Sequence, residues 1–151
     1  MVHLHGSTFA IISGPDREGH KTFVLEFRTG NASTCPLQFS FPGGGIQEKN
    51  TGGDLESPLE CVIRETAEDV RLETVAADWS DPIQLDHVTE CNSLWVFFLD
   101  HSVGKEEVGI GEGAGTVFLT VEDLSSLQQS NFLTPATVQV LRDDSCMRYI
   151  R

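Results

Sequence analysis

The stretch that decides the fold reads Phe41-Pro42-Gly43-Gly44-Gly45-Ile46-Gln47 and, after a polar interval, Glu56-Ser57-Pro58-Leu59-Glu60-Cys61-Val62-Ile63-Arg64-Glu65-Thr66-Ala67-Glu68-Asp69-Val70. A glycine turn leads into a helix whose start is written in its first residues. Ser57 suits the N-cap, because its hydroxyl can accept a backbone N–H left without a helical partner. Pro58 stands at the first helical position, where its missing N–H costs nothing. Glu60, three residues after the cap, completes a capping box. Leu59, Val62, Ile63, Thr66, Ala67 and Val70 recur at spacings of three and four, which predicts one buried stripe. At about 100° per residue, Glu65 and Asp69 fall beside that stripe and Glu68 lies further round.

Carboxylates at 56, 65, 68 and 69 thus surround one short helix. Glu65 and Asp69 form a like-charge i, i+4 pair, which weakens a helix unless something binds between them. Hard divalent ions prefer oxygen ligands, and Mg²⁺ usually shares its shell with water and substrate phosphates. The cluster therefore points to a metal-assisted site for a phosphorylated substrate. The competing reading is a solvated acidic face on a protein-interaction module.

The segment resembles the motif of the Nudix hydrolases: glycine, five residues, Glu, seven residues, Arg-Glu-apolar-x-Glu-Glu-x-Gly-apolar. Glu56, Arg64, Glu65, Glu68 and Leu72 stand in register, and Phe41-Pro42-Gly43-Gly44 looks like the usual lead-in. Three positions depart from the pattern. Counted from Gly44, Glu is expected at 50 but stands at 56, so six extra residues lie within Glu48–Asp54. The second Glu of the final pair is Asp69, and the closing glycine is Arg71. Thr66 at an apolar position is a milder departure. Asp keeps the charge with a shorter reach. A side chain where glycine closes the helix carries a modest left-handed penalty, which Arg71 can offset by capping the last carbonyls. Lys49-Asn50-Thr51-Gly52-Gly53 has turn-forming composition and reads as a surface excursion.

The resemblance implies a Nudix-like α/β/α sandwich with a mixed β-sheet, and a single Nudix hydrolase domain over residues 1–151. It implies Glu65, Glu68 and Asp69 as metal-facing carboxylates, the Gly43 carbonyl as a further ligand, and Glu56 as support for the cluster or a second ion. Arg64, i, i+4 to both Glu60 and Glu68, is read as orienting Glu68. Glu112, in Gly111-Glu112-Gly113-Ala114-Gly115, is the candidate acid outside the motif; a solvated loop Glu is the equal alternative. The implied activity is Mg²⁺-dependent (Mn²⁺ possible) hydrolysis of the diphosphate bond of a nucleoside diphosphate linked to another moiety, or of a nucleoside triphosphate. The alternative kept open by Asp69 and Arg71 is a Nudix-like domain that binds a nucleotide without cleaving it. The family also makes a homodimer a reasonable expectation.

The resemblance implies a nucleotide-type small-molecule substrate, and the charge of the chain makes a bound cation more necessary if that substrate is a diphosphate. The 151 residues carry a formal net charge of −13, which repels nucleic-acid polymers and anionic membranes. Cys35, Cys61, Cys91 and Cys146 are widely separated and show no CxxC or zinc spacing, so free thiols in a reducing compartment are expected. No apolar run is long enough to span a bilayer and no signal-peptide pattern opens the chain, which reads as cytoplasmic.

Elsewhere, Ser7–Ile12 and Thr22–Arg28 are predicted strands joined by a turn-rich loop over Gly14–Gly19, and Leu37–Phe41 is a third. Ala77–Leu85 is poorly defined. Asp86–Glu90 and Ser93–Asp100 form two more strands around Cys91-Asn92, with Trp95, Phe97 and Phe98 read chiefly as core. Gly104–Gly115 is an acidic, glycine-rich loop. Thr116–Thr120 is a strand, Val121–Leu127 a short helix, and Thr134 with Pro135 starts a last helix to about Arg142. Arg28, at a strand end, is a candidate phosphate contact or an exposed surface residue. The five histidines show no metal-ligand spacing beyond the short His3-x-His5. The Glu48–Asp54 insertion and the Gly104–Gly115 loop are the expected substrate walls.

Overall fold

Strand side chains alternate between two faces, and three apolar strands here use both. A computed structural model describes residues 5–49, 52–88, 91–111 and 113–151, Cys91 by its backbone alone; Glu112, His3 and part of the insertion lie outside the described residues. In chain order the elements are β1 (Ser7–Ile11), β2 (Ser13–Pro15), β3 (Lys21–Phe27), β4 (Phe39–Ser40), β5 (Gly43–Gly45), α1 (Pro58–Val70), β6 (Ile83–Val88), β7 (Cys91–Phe98), β8 (Gly115–Leu119), α2 (Val121–Gln129), α3 (Pro135–Arg142) and α4 (Asp144–Ile150).

Phe9, Ile11, Phe23, Leu25, Leu94, Val96 and Phe98 point into one apolar cluster, closed by Leu124 of α2, Ala136 and Val140 of α3, and Cys146, Met147 and Ile150 of α4. Their alternates Ala10, Ile12, Val24 and Phe97 point the other way, against Val62 and Val70 of α1 and Trp79. Trp95 is partly buried against this second cluster. The result is an α/β/α sandwich around two four-stranded sheets. One runs β5-β1-β7-β6; in the other, β3 pairs with β2, β4 and β8. The first is mixed, with β1 parallel to β7 and antiparallel to β5.

The chain passes from the first sheet to the second at Ile12, so Ser13 and the first two residues of the expected loop, Gly14 and Pro15, pair with Phe23, Thr22 and Lys21. Leu37 is left-handed (φ 60°), which shortens the expected Leu37–Phe41 strand to two residues. Cys91-Asn92, expected between two strands, lies inside β7, since Cys91 already pairs with Val88. The helix α4 is new: Asp143 ends α3 and at once caps the next helix by accepting the Cys146 N–H.

The helix α1 starts as predicted. Ser57 Oγ accepts the Glu60 N–H at 3.1 Å and Glu60 Oε1 accepts the Ser57 N–H at 3.0 Å. Its buried face is turned from the expected stripe, with Cys61, Glu65 and Asp69 buried and Leu59, Ile63 and Ala67 only partly so. Three successive glycines in β5 present no side chains to this face, so α1 can lie close to the strand. Cys61 is fully buried, 3.3 Å from Thr8 Oγ1, and burial pushes its thiol up to about 12. Cys146, also buried, is pushed up to about 12 by the same cause. Since the thiolate is the reactive form, Cys61 and Cys146 are expected to resist alkylation of the native protein at pH 8, while partly exposed Cys35 is labelled. Mass mapping of the modified peptides reads this directly.

Candidate functional site

The buried face of α1 delivers two acids to a cleft of about 450 Å³. Glu65 and Asp69 line it and are only 7% and 4% exposed. Gly43, Gly44 and Gly45 form the adjoining wall. A Cβ at Gly44 would run into the Glu65 carboxylate, so glycine is what leaves room for that acid. Asp69 Oδ2 accepts the Gly43 N–H at 2.9 Å, and the acid and the glycine turn are thereby held together.

Arg64 is the electrostatic hub. It binds Glu56 through two hydrogen bonds, Nε to Oε2 at 2.9 Å and a terminal nitrogen to Oε1 at 2.7 Å. Its other terminal nitrogen lies 2.9 Å from Glu65 Oε1 and 3.0 Å from Glu68 Oε2, and a further bond reaches the Gly45 carbonyl at 3.1 Å. One guanidinium thus ties three acids to the glycine strand, wider than the expected role of orienting Glu68. Glu60, expected within its reach, is engaged instead by Lys49 at 2.9 Å and by the capping box. The side chains of Glu56 and Glu65 are 9% and 10% exposed, and that of Glu68 is 40% exposed.

The hydrogen bond from Arg64 holds Glu56 below the usual carboxylate range, helped by the Gln47 N–H and opposed by burial. A carboxyl with a lower pKa folded than unfolded adds stability above its unfolded value and loses it as pH falls through the folded one. The melting temperature is therefore expected to fall as pH drops below about 4.5, and Glu56→Gln should flatten that part of the profile. A melting series from pH 7 to pH 3 on both proteins checks this.

The rest of the cleft was only partly foreseen. Arg28 lines it, part-buried, with Nε on the Thr34 carbonyl at 3.0 Å and a terminal nitrogen on Thr34 Oγ1 at 3.1 Å. It is the one cation among the described lining residues, so the exposed-surface reading is corrected. Thr29–Thr34 forms a wall the sequence reading did not identify. Gly113 brings the Gly104–Gly115 loop to the cleft, whereas no described residue of Glu48–Asp54 lines it. The two ends of that insertion pair with each other, the Lys49 N–H donating to the Asp54 carbonyl. Glu26 is a third acid on the cleft, 6% exposed and with Oε1 4.0 Å from Arg28. Its signal was a single carboxylate inside Phe23-Val24-Leu25-Glu26-Phe27. Away from the cleft, His101 meets Asp78 and Asp100 in a mostly exposed group whose ligand atoms lie within 4.8 Å of one another, a grouping that sequence spacing could not reveal.

The architecture is the Nudix fold. No protein-family model matches the sequence, and no curated protein matches it. Among solved structures, the MutT protein of Methanosarcina mazei Go1 is similar over 98% of this chain and 94% of that one, with TM-score 0.63 and 19% identity. The Nudix domain of Shewanella oneidensis NrtR, complexed with ADP ribose, aligns over 99% of this chain and 89% of its own, with TM-score 0.67 and 14% identity. A bifunctional NMN adenylyltransferase/ADP ribose pyrophosphatase of Francisella tularensis, complexed with AMP and a Mn ion, covers 93% of this chain with TM-score 0.68 and 11% identity. The chain spans less than half the length of several such proteins, 41% in that last case and 43% for a MutT/nudix family protein of Enterococcus faecalis. No helix among the described residues is long and apolar enough to cross a membrane.

Proposed function

We propose that the chain is a Mg²⁺-dependent pyrophosphohydrolase of a nucleoside diphosphate linked to another moiety, or of a nucleoside triphosphate, working as a single domain in the cytoplasm. The observation that supports it most is the meeting of Glu65, Asp69 and Glu26 with one guanidinium, Arg28, on a cleft walled by backbone glycines. Buried carboxylates need a counter-charge, and an all-oxygen acidic donor set suits a hard cation. Glu65, Glu68 and Asp69 would hold that cation, with the Gly43 carbonyl beside them and Glu56 kept ionised behind them by Arg64. When bound, the ion neutralises charge on the phosphate oxygens and makes water more acidic.

Arg28 then pairs with the substrate phosphate, and the close glycine backbone admits the diphosphate against β5. Water oxygen bonds to one phosphorus, the bridging P–O bond breaks, and its electron pair leaves with the departing phosphate. The water proton passes to a carboxylate, for which Glu26 on the cleft joins the motif acids and Glu112 of the sequence reading as a candidate.

Phosphate release from nucleoside triphosphates, ADP-ribose, nucleotide sugars and dinucleoside polyphosphates, with Mg²⁺, Mn²⁺ or EDTA and a coupled phosphatase, tests the reading. Metal-dependent release from one class supports it and names the substrate group. A second reading, binding without cleavage, is favoured by Asp69, one of whose oxygens is already taken by the Gly43 N–H. No release, with Mg²⁺ still raising the melting temperature, would select it. No response to metal would remove both.

A further inference from the structure

We infer that Arg71 is a positioning residue: it straps Gly109, Ile110 and Gly111 to the C-terminal end of α1 and so fixes the wall of the substrate cleft on which Gly113 lies. Arg71 closes the helix in the left-handed conformation, φ 54° and ψ 37°, with its N–H on the Thr66 carbonyl. A residue with a Cβ is strained there relative to glycine, and the motif that the sequence resembles has glycine at this position. The side chain does not cap the helix carbonyls, as the sequence suggested. Its Nε instead donates to the Ile110 carbonyl at 2.7 Å, across to the loop.

The loop meets the helix through its backbone as well. The Gly109 N–H donates to the Val70 carbonyl at 2.8 Å and the Gly111 N–H to the Asp69 carbonyl at 3.0 Å. The approach at Gly111 is so close that a Cβ there would strike the carbonyl oxygens of Glu68 and Asp69. Thr116 Oγ1 holds the Gly109 carbonyl at 2.9 Å, and the Ala114 N–H reaches the Phe27 carbonyl at 2.8 Å. Between these anchors Gly113 lies on the cleft wall. The helix end already satisfies its carbonyls with loop amides, so the guanidinium adds a tie in the opposite direction, from helix to loop carbonyl. The strain of a non-glycine residue at 71 is thereby exchanged for a fixed wall beside the carboxylates.

The kinetic arm of the test rests on the proposed hydrolase reading; the structural arm does not. Arg71→Gly removes the strap and the strain together, so a merely structural role predicts an equal or higher melting temperature, unchanged amide exchange and unchanged kinetics. The strap predicts an equal or higher melting temperature together with faster exchange of the Gly109 and Gly111 amides. It also predicts KM raised about three- to tenfold, the worth of one hydrogen bond, with kcat changed less. Arg71→Lys, which keeps one donor and the charge, should recover part of both effects. Wild-type exchange and KM in Arg71→Gly would overturn the inference. If the wild-type protein turns over no nucleotide, the hydrolase reading fails and the exchange rates alone decide on the strap.

Discussion

Glu68→Gln is expected to lower metal-dependent turnover by about a hundredfold or more, the scale on which loss of a participating acid acts, while the fold stays intact. Two observations separate these effects. The Glu68 side chain is 40% exposed, and its hydrogen bond to Arg64 is an i, i+4 pair at the surface. Such pairs contribute about 0.3–0.5 kcal/mol, and in a chain of this size 1 kcal/mol moves the melting temperature by about 2–4 °C. The variant should thus melt within about 2 °C of wild type. Initial rates and a melting curve on the same preparation read both quantities. Wild-type rates would move the chemistry off Glu68, towards the acids that line the cleft, Glu65, Asp69 or Glu26.

Arg64→Ala should act the other way round, first on stability. It leaves Glu56 and Glu65, 9% and 10% exposed, without the guanidinium that pairs them. Removing one partner of a buried ion pair costs about 3–5 kcal/mol, or roughly 6–20 °C in melting temperature at the conversion above. The deficit should shrink as pH falls below about 4.5, because Glu56 of the variant, without Arg64, takes up a proton there and loses its unpaired charge. The wild type gives up its own ion pair as pH falls further, through the lowered pKa of Glu56. Mg²⁺ should narrow it at neutral pH by supplying the missing positive charge. Thermal melts with and without Mg²⁺ at pH 7, repeated at pH 4, test each clause. A melting temperature equal to wild type at pH 7 would mean that solvent, rather than Arg64, meets the charge on these acids.

The parts of the molecule legible in the sequence were those set by local chemistry. Ser57, Pro58 and Glu60 set the start of α1, and Thr134 with Pro135 set that of α3, because caps act within one turn. The sandwich was what the resemblance to the Nudix motif implied. Contacts between distant segments were not legible. Arg64 takes Glu56 across the helix start because Glu60 is drawn off by Lys49, which belongs to the insertion and has no sequence rule tying it to α1. Glu26 and the Thr29–Thr34 wall face the helix only after β3 and β4 have paired. Arg71 was read as a helix-capping cation because the sequence does not reveal that a loop some forty residues later occupies those carbonyls. The rotation of the helix face towards Glu65 and Asp69 likewise depends on β5 being bare glycine, a property of the partner strand rather than of α1.

The central place of β1 has a consequence for how the chain reaches this structure. Its neighbours are β5, joined through Ser7 and Gly45, and β7, joined through Ser7 and Leu94. A nascent chain therefore holds β1 without its parallel neighbour until β7, which begins at Cys91, has been made. Pairing of such distant segments must meet the entropy of closing a long loop before any contact repays it. The glycine strand and α1 can gather on β1 earlier, but the sheet that backs them closes only when Leu94–Phe98 arrives, so the acidic cleft is among the last regions to become rigid.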